Sequence, residues 1–192
     1  MTLAQIMTLA LRQLDEDPED ISEYDDLFRS YANEGYRIAA EDWAKPRDTR
    51  EAISDENGYI TLDSDVRRVV EVRQKYDNGK IRRNVQYYTA PTGDEISVAE
   101  KNKKHILIVE VSIADMVNDT DEPEKLPQEF HPAIADYICY RHLSNGNMAK
   151  QSKAQFYRQS FYQAMARVRP QGMGSVKGFT NLYAVTDIRY RG

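Results

Sequence analysis

Three histidines, one cysteine and several clusters of acids are the side chains with which this sequence could do chemistry. His131 and His142 stand eleven positions apart on one predicted helix. That is about three turns, or ~16 Å, so they share a face but cannot share a metal ion. His105 lies in a different stretch of chain. A contact at the helix start for His131 and at the helix end for His142 explains them better than ligation. Asp115, Asp119, Asp121, Glu122 and Glu124 form the nearest approach to a metal loop. They lack the central glycine and the Asp-x-Asx-x-Asx spacing of a calcium site, so a solvated linker is the better reading. Cys139 shares a helix with Tyr137 and Ile138 and reads as a buried structural thiol.

Acids also crowd between Asp15 and Asp26. A carboxylate pair catalyses only inside a pocket that perturbs one pKa, and nothing in the sequence marks such a pocket. A lytic accessory enzyme using a Glu/Asp pair is therefore the weaker alternative. No GxGxxG, GxxxxGK[ST], HExxH, GxSxG or CxxC occurs anywhere. The expectation is no enzymatic turnover, no cofactor and no catalytic metal. Lys150, Lys153, Arg158, Arg167 and Arg169 gather towards the end of the chain, and Arg67-Arg68 and Arg82-Arg83 punctuate its middle. No helix-turn-helix or other reading head accompanies them, which argues against sequence-specific DNA binding.

The elements that must carry these groups come from 192 residues, enough for one domain with a real core, or one domain plus an arm. Hydrophobic residues make up 41% and charged residues 30%, a bias too small for a disordered chain, and thirteen tyrosines supply amphipathic packing surface. The longest aliphatic run, Ile106 to Val109, is far short of a membrane span. The start, Met1-Thr2-Leu3-Ala4-Gln5, has no signal-peptide pattern, and the single Cys139 forbids an internal disulfide. Folding in a reducing cytoplasm is the expectation.

The net charge of −5 conceals a gradient. Residues 1–60 hold 15 acids and 6 bases, whereas residues 130–192 hold 2 acids and 9 bases. Either the two ends meet different partners, or they neutralise each other within the fold or between copies.

Hydrophobic spacing predicts an amphipathic helix from Thr2 to Leu14, opened by a Thr2–Gln5 capping box. A second helix, capped by Ser22, runs to about Trp43 and stops at Lys45-Pro46. Its expected buried stripe is Tyr24, Leu27, Phe28, Tyr31, Ala32, Gly35, Ile38 and Ala39. The period then changes from 3.6 to 2. A hairpin is expected around Asp55 to Gly58, and an alternating strand over Val66 to Tyr76. A tight turn follows at Asp77-Asn78-Gly79-Lys80, with a return strand from Ile81 to Thr89. Glu95–Val98 and His105–Ser112 would complete one small antiparallel sheet. An exposed acidic linker leads to a third helix from His131 to Leu143, closed by a left-handed cap at Asn145-Gly146. A fourth helix, about Met148 to Val168, pairs with it as an antiparallel hairpin. Residues 179–190 are rich in aromatic and β-branched types beyond Gly172, Gly174 and Gly178. Such a tail either pairs with the protein's own sheet or, as we favour, docks on another chain.

The predicted fold class is α+β. It comprises a four-helix bundle (residues 1–49 and 128–170), an inserted antiparallel β subdomain (50–112), an acidic linker (113–127) and an extended C-terminal arm (171–192). The order of these elements resembles tailed-bacteriophage head-to-tail connector proteins, the adaptors beneath the portal. The resemblance is carried by Thr2-Leu3-Ala4-Gln5-Ile6 and Tyr31-Ala32-Asn33-Glu34-Gly35-Tyr36-Arg37 in the first two helices. Leu62 to Val69 and Leu126 to Tyr137 carry it further along the chain. The resemblance implies a structural virion protein of the neck, made in the host bacterial cytoplasm. Copies, typically twelve, would ring the portal and hand over to a stopper or tail protein, while packaged DNA passes through unread. A stopper or tail-completion role in the same particle is the alternative. On this reading Phe179, Leu182, Tyr183, Val185, Ile188 and Tyr190 anchor the arm on the portal. Lys150, Lys153 and Arg158 would face Asp15, Asp20, Asp25 and Asp26 across a subunit boundary.

Overall fold

The computed structural model describes residues 1–17, 21–82 and 85–169; the expected arm, with Phe179 to Tyr190, and Asp20 lie outside the described residues. Helix α1 (Leu3–Leu14) opens on the predicted capping box, with both Thr2–Gln5 hydrogen bonds made, and buries Leu3, Ile6, Met7, Ala10 and Leu11. Asp15 ends it in a left-handed conformation (φ 64°). Helix α2 (Ile21–Arg37) buries Phe28, Ala32, Gly35 and Tyr36. Two details differ from the expected pattern. Ser22 lies inside the helix rather than capping it, and Leu27 is 44% exposed while Tyr36 takes its place inside.

The helix then widens into a π-helical turn, Ile38–Ala44. The extra residue per turn lets Ala39, Ala40 and Ala44 all face the core. Lys45 closes the turn at φ 47°, its N–H donating to the Ala40 carbonyl, and Pro46 then commits the chain to extended backbone.

The middle forms two antiparallel sheets instead of one. Strands β1 (Arg47–Ile53), β7 (Lys104–Val111), β3 (Val66–Lys75) and β4 (Ile81–Arg82) form the first, in the order β1-β7-β3-β4. Strands β2 (Tyr59–Thr61), β6 (Glu95–Val98) and β5 (Tyr87–Thr89) form the second, in the order β2-β6-β5. The turn at Asp55 to Gly58 exists, with the Asp55 carboxylate accepting from the N–H groups of Asn57 and Tyr59. It is not the tip of a hairpin, however, because β1 pairs with β7 and β2 with β6. The Gly58 carbonyl accepts from Val98 N–H and pulls β2 onto β6. The return strand expected over Ile81 to Thr89 likewise splits, leaving β4 on β3 and sending β5 to the second sheet.

In β3 the expected alternation breaks at two bulges, between Val66 and Arg68 and between Val69 and Glu71. The bulge shifts the phase, so Val69 and Val72 both point inward. The tight turn at Asp77 to Lys80 forms as read, with Gly79 at φ 77°.

Gly58 sits at φ 90°, and a Cβ there would clash with the Val98 carbonyl oxygen. Gly58→Ala should therefore cost ~2 kcal/mol or more of unfolding free energy, because backbone strain and a backbone clash add. Urea denaturation measures this, and an unchanged midpoint would refute the described contact between the turn and β6.

The chain returns to the helical part along residues 113–127. Their charged side chains are largely exposed, as expected of a linker, yet the backbone is pinned. The carbonyls of Asp121 and Asp119 accept from Leu3 and Ala4 N–H, satisfying donors at the open end of α1. Asn33 holds Met116 by both its amide oxygen and its amide nitrogen, and the Tyr36 hydroxyl accepts from Lys125 N–H. A 3-10 turn (Gln128–Phe130) leads into α3 (His131–Leu143), with Pro132 in its first turn.

No left-handed cap follows α3. Ser144 keeps helical angles, and the link closes through Gly146 N–H to the Leu143 carbonyl. Glycine is still needed, since a Cβ on Gly146 would meet Lys150 at 2.6 Å. The Asn147 side chain caps α4 (Met148–Met165), which ends three residues before Val168.

The architecture is mixed α+β. Helix α3 packs against the other three helices, and α1 also packs on α2. Two separate apolar clusters result, one among the helices and the linker residues Met116 and Leu126, the other between the sheets.

Candidate functional site

The histidines are placed by packing and do not converge. His105 is fully buried on β7, opposite Ala52 of β1 and Gln74 of β3. Burial lowers its proton affinity, with Glu100 opposing this in part. His131 starts α3, donates from Nε2 to the Leu126 carbonyl at 3.0 Å, and takes the Met1 amine at Nδ1 at 2.8 Å. His142 lies edge-on to the rings of Tyr24 and Phe28 near the end of the same helix. Burial and the nearby Lys150 lower its pKa.

For His105 the sign of the pH effect follows directly. A folded pKa below the unfolded value of about 6.5 means the unfolded chain binds the proton first. The stabilising contribution is complete above that pH and is lost as pH falls below it. The slope is at most ~1.4 kcal/mol per pH unit. Denaturation midpoints measured from pH 8 to pH 5 should drop, and His105→Gln should flatten part of that drop; an unchanged slope in the variant would refute it.

Cys139 is buried, lies 3.2 Å from Gln13 Oε1, and has its thiol pushed up to about 12 by burial. It belongs to a polar network that the sequence reading did not anticipate. Gln13 Nε2 donates to Asp136 Oδ1 at 3.0 Å, Ser160 Oγ donates to Asp136 Oδ2 at 2.6 Å, and the Tyr157 hydroxyl donates to the Gln13 carbonyl at 2.7 Å. The network ties α1, α3 and α4 together. Burial raises the Asp136 pKa against the pull of its two donors. A second unforeseen cluster centres on Arg50, whose guanidinium contacts Asp48, Asp63 and Asp65 and is held charged by them.

Of the residues expected at a subunit boundary, the structure brings one pair together, and within a single chain: Lys153 Nζ stands 3.2 Å from Asp15. Asp25 pairs with Arg29, which also holds Asp119, and Asp26 is exposed. Lys150 is exposed, and Arg158 lies over the rings of Tyr140 and Tyr162. The loop from Asp115 to Glu124 lines an open hollow of about 290 Å³ with Tyr36 and Lys125, and Arg37 neutralises Asp115. Among the described residues, no group of three or more His, Cys, Asp or Glu side chains is arranged to hold a metal ion. No described helix is long and apolar enough to cross a membrane.

The outer surface is where sequence reasoning missed most. Met148, at 83% exposure, and Phe156, at 66%, stand out on α4. Ile53, Tyr88 and Val117 do so elsewhere. The signal was available in α4, where Gln151, Gln155, Gln159 and Gln163 repeat every fourth residue without an intervening acid.

The helical part and the sheets each enclose an apolar cluster, while apolar side chains of α4 and of the sheets stand exposed. The chain belongs to the SU10 adaptor protein family, whose model matches residues 1–178. That match bears out the resemblance to phage head-to-tail adaptors over residues 1–178. The family is one of structural phage adaptors, components of the virion neck, and not an enzyme family. No curated protein matches the chain.

Proposed function

We propose that this chain is the head-to-tail adaptor of its particle, forming a ring of copies, typically twelve, beneath the portal and handing over to a stopper or tail protein. The observation that carries this reading is the span of the family match, which takes in the helices and the inserted β region together. The four helices, read as a bundle, would build the ring wall, and the β subdomain would face the next neck or tail component. DNA passes through the ring without being read. The arm, residues 171–192, grips the portal through Phe179, Leu182, Tyr183, Val185, Ile188 and Tyr190. Lys150 and Arg158 of one copy meet Asp25, Asp26 and Asp20 of the next. The pair Lys153–Asp15 already contributes inside each chain. Exposed pairs are worth only about 0.2–1 kcal/mol each, which suits a protein that is monomeric alone and assembles on a template.

Deleting residues 179–192 tests the reading. The truncated protein should keep the full-length chain's thermal midpoint yet fail to join heads, as judged by its absence from purified particles. Loss of folding would make the tail part of the core instead. Electron microscopy of the assembled neck separates the adaptor position from the stopper position.

A further inference from the structure

We propose that the outward face of α4 is the centre of the contact between neighbouring copies, and that it docks on the outer face of α1 of the next copy. The inference deepens the ring reading above and rests on it. In a chain with 30% charged residues, the side of an exposed helix turned furthest from the core should carry charge. On α4 it carries none. Met148, Ser152, Gln155, Phe156, Gln159 and Gln163 occupy it, all exposed, directly opposite the buried Ala154, Tyr157, Phe161 and Met165. The charged residues Lys153 and Arg158 sit on the two flanks.

This is the composition of an interface cut open: an aromatic anchor, uncharged hydrogen-bonding side chains around it, and basic groups at the rim. Glutamines can be desolvated against a partner at far lower cost than lysines or glutamates.

The complementary surface lies on the same molecule. Met1, Ala4, Gln5, Thr8, Leu9 and Arg12 line a groove of about 370 Å³ along the outer side of α1. Ala4 and Thr8 contribute small side chains to it, and its charged groups are Arg12 and the Met1 amine, which stands 4.0 Å from a Glu122 carboxylate oxygen. Two copies of a chain with net charge −5 repel each other wherever acids meet. The side chains that form the stripe and line the groove include no carboxylate, Glu122 standing only beside the Met1 end. Because the stripe and the groove are different patches, the contact is head-to-tail, as closure of a ring requires. Phe156 fills the groove, and the rim charges set orientation and encounter rate.

The test adds one cysteine at a time, Ser152→Cys on the stripe beside Phe156 or Thr8→Cys in the groove, and applies a short bis-maleimide cross-linker to assembled particles. Cys139 does not compete, being buried with its thiol pushed up to about 12. Mixed particles carrying both variants should give a covalent dimer, and particles carrying either variant alone should give none. The double variant should give a ladder of multimers. Phe156→Asp should leave the thermal midpoint of the isolated chain unchanged while removing it from particles.

A cross-link from Ser152→Cys alone would mean stripe-on-stripe pairing and overturn the proposal. So would the absence of any cross-link on particles whose ring is visible by electron microscopy, an outcome that leaves the ring reading intact. A lowered midpoint for isolated Phe156→Asp would mean that the chain's own residues cover the stripe, which also overturns it. Particles with no ring at all would refute the ring reading and this contact with it.

Discussion

Phe161→Ala should lower the unfolding free energy by about 3–5 kcal/mol, the range for deleting a fully buried aromatic ring from a packed core. Phe161 has no exposed surface, and its ring centroid lies 5.0 Å from Tyr137 on α3 and 5.2 Å from Tyr162 on its own helix. It is the largest fully buried side chain of α4, and it packs on Tyr137 of α3, so its loss opens the interface on which α4 depends. Typical domains have only about 5–15 kcal/mol of net stability, so the variant should lose a large fraction of it. Urea titration followed by circular dichroism measures the change. A loss under ~1 kcal/mol would mean that α4 does not pack on α3 through this residue. Phe161→Leu, which keeps most of the volume, should retain most of the stability.

The second large effect is expected at Asp136. Removing its carboxylate in Asp136→Ala strands two donors, Gln13 Nε2 and Ser160 Oγ, in a half-buried setting. An unmet buried donor costs about 1–3 kcal/mol, so a combined loss of ~2–4 kcal/mol is expected. Asp136→Asn keeps one acceptor oxygen and should cost clearly less. The pH dependence carries a sign of its own. Burial raises the folded pKa, so the folded state binds the proton more readily than the unfolded one. The ionised group therefore carries a desolvation cost that is present above the folded pKa and disappears as pH falls through it. Asp136 should not drive acid unfolding, and the Asp136→Asn variant should lose stability relative to wild type towards low pH. If the alanine and asparagine variants are equally stable, the network between α1, α3 and α4 does not exist as described.

Helix identity was legible because each helix carries its own punctuation. Thr2 and Gln5 cap α1, Pro46 stops the second helical run, Pro132 sits where no donor is lost, and Asn147 caps α4. These are local interactions within a few residues, and they depend little on the rest of the molecule. Leu27 marks the limit of this logic. Its spacing fits the buried stripe, yet which angular sector of α2 is covered depends on where α1 and α3 lie.

The β region was legible only as strands. Strands β3, β6 and β7 were read close to their observed positions, β3 from its alternation, and Asp77 to Lys80 gave a turn. Partner choice was not, because β1 meets β7 across fifty intervening residues, and β5 and β2 meet through β6. No local signal encodes that, and the bulges in β3 reset which valines face inward.

By itself, then, the sequence determined the α+β class, the four helices, the absence of recognisable catalytic motifs and, through the order of its elements, the adaptor family. Those properties rest on side-chain type and short spacing, which survive without knowledge of the fold. The tertiary structure alone decided that the middle makes two sheets and that Lys153 neutralises Asp15 within one chain. It also decided that Gln13, Asp136 and Ser160 meet in one network, and that an uncharged stripe of α4 is left facing outward. Each of these depends on which surfaces remain after distant segments have packed, and packing between distant segments is settled by the whole chain's burial of apolar area rather than by any single stretch.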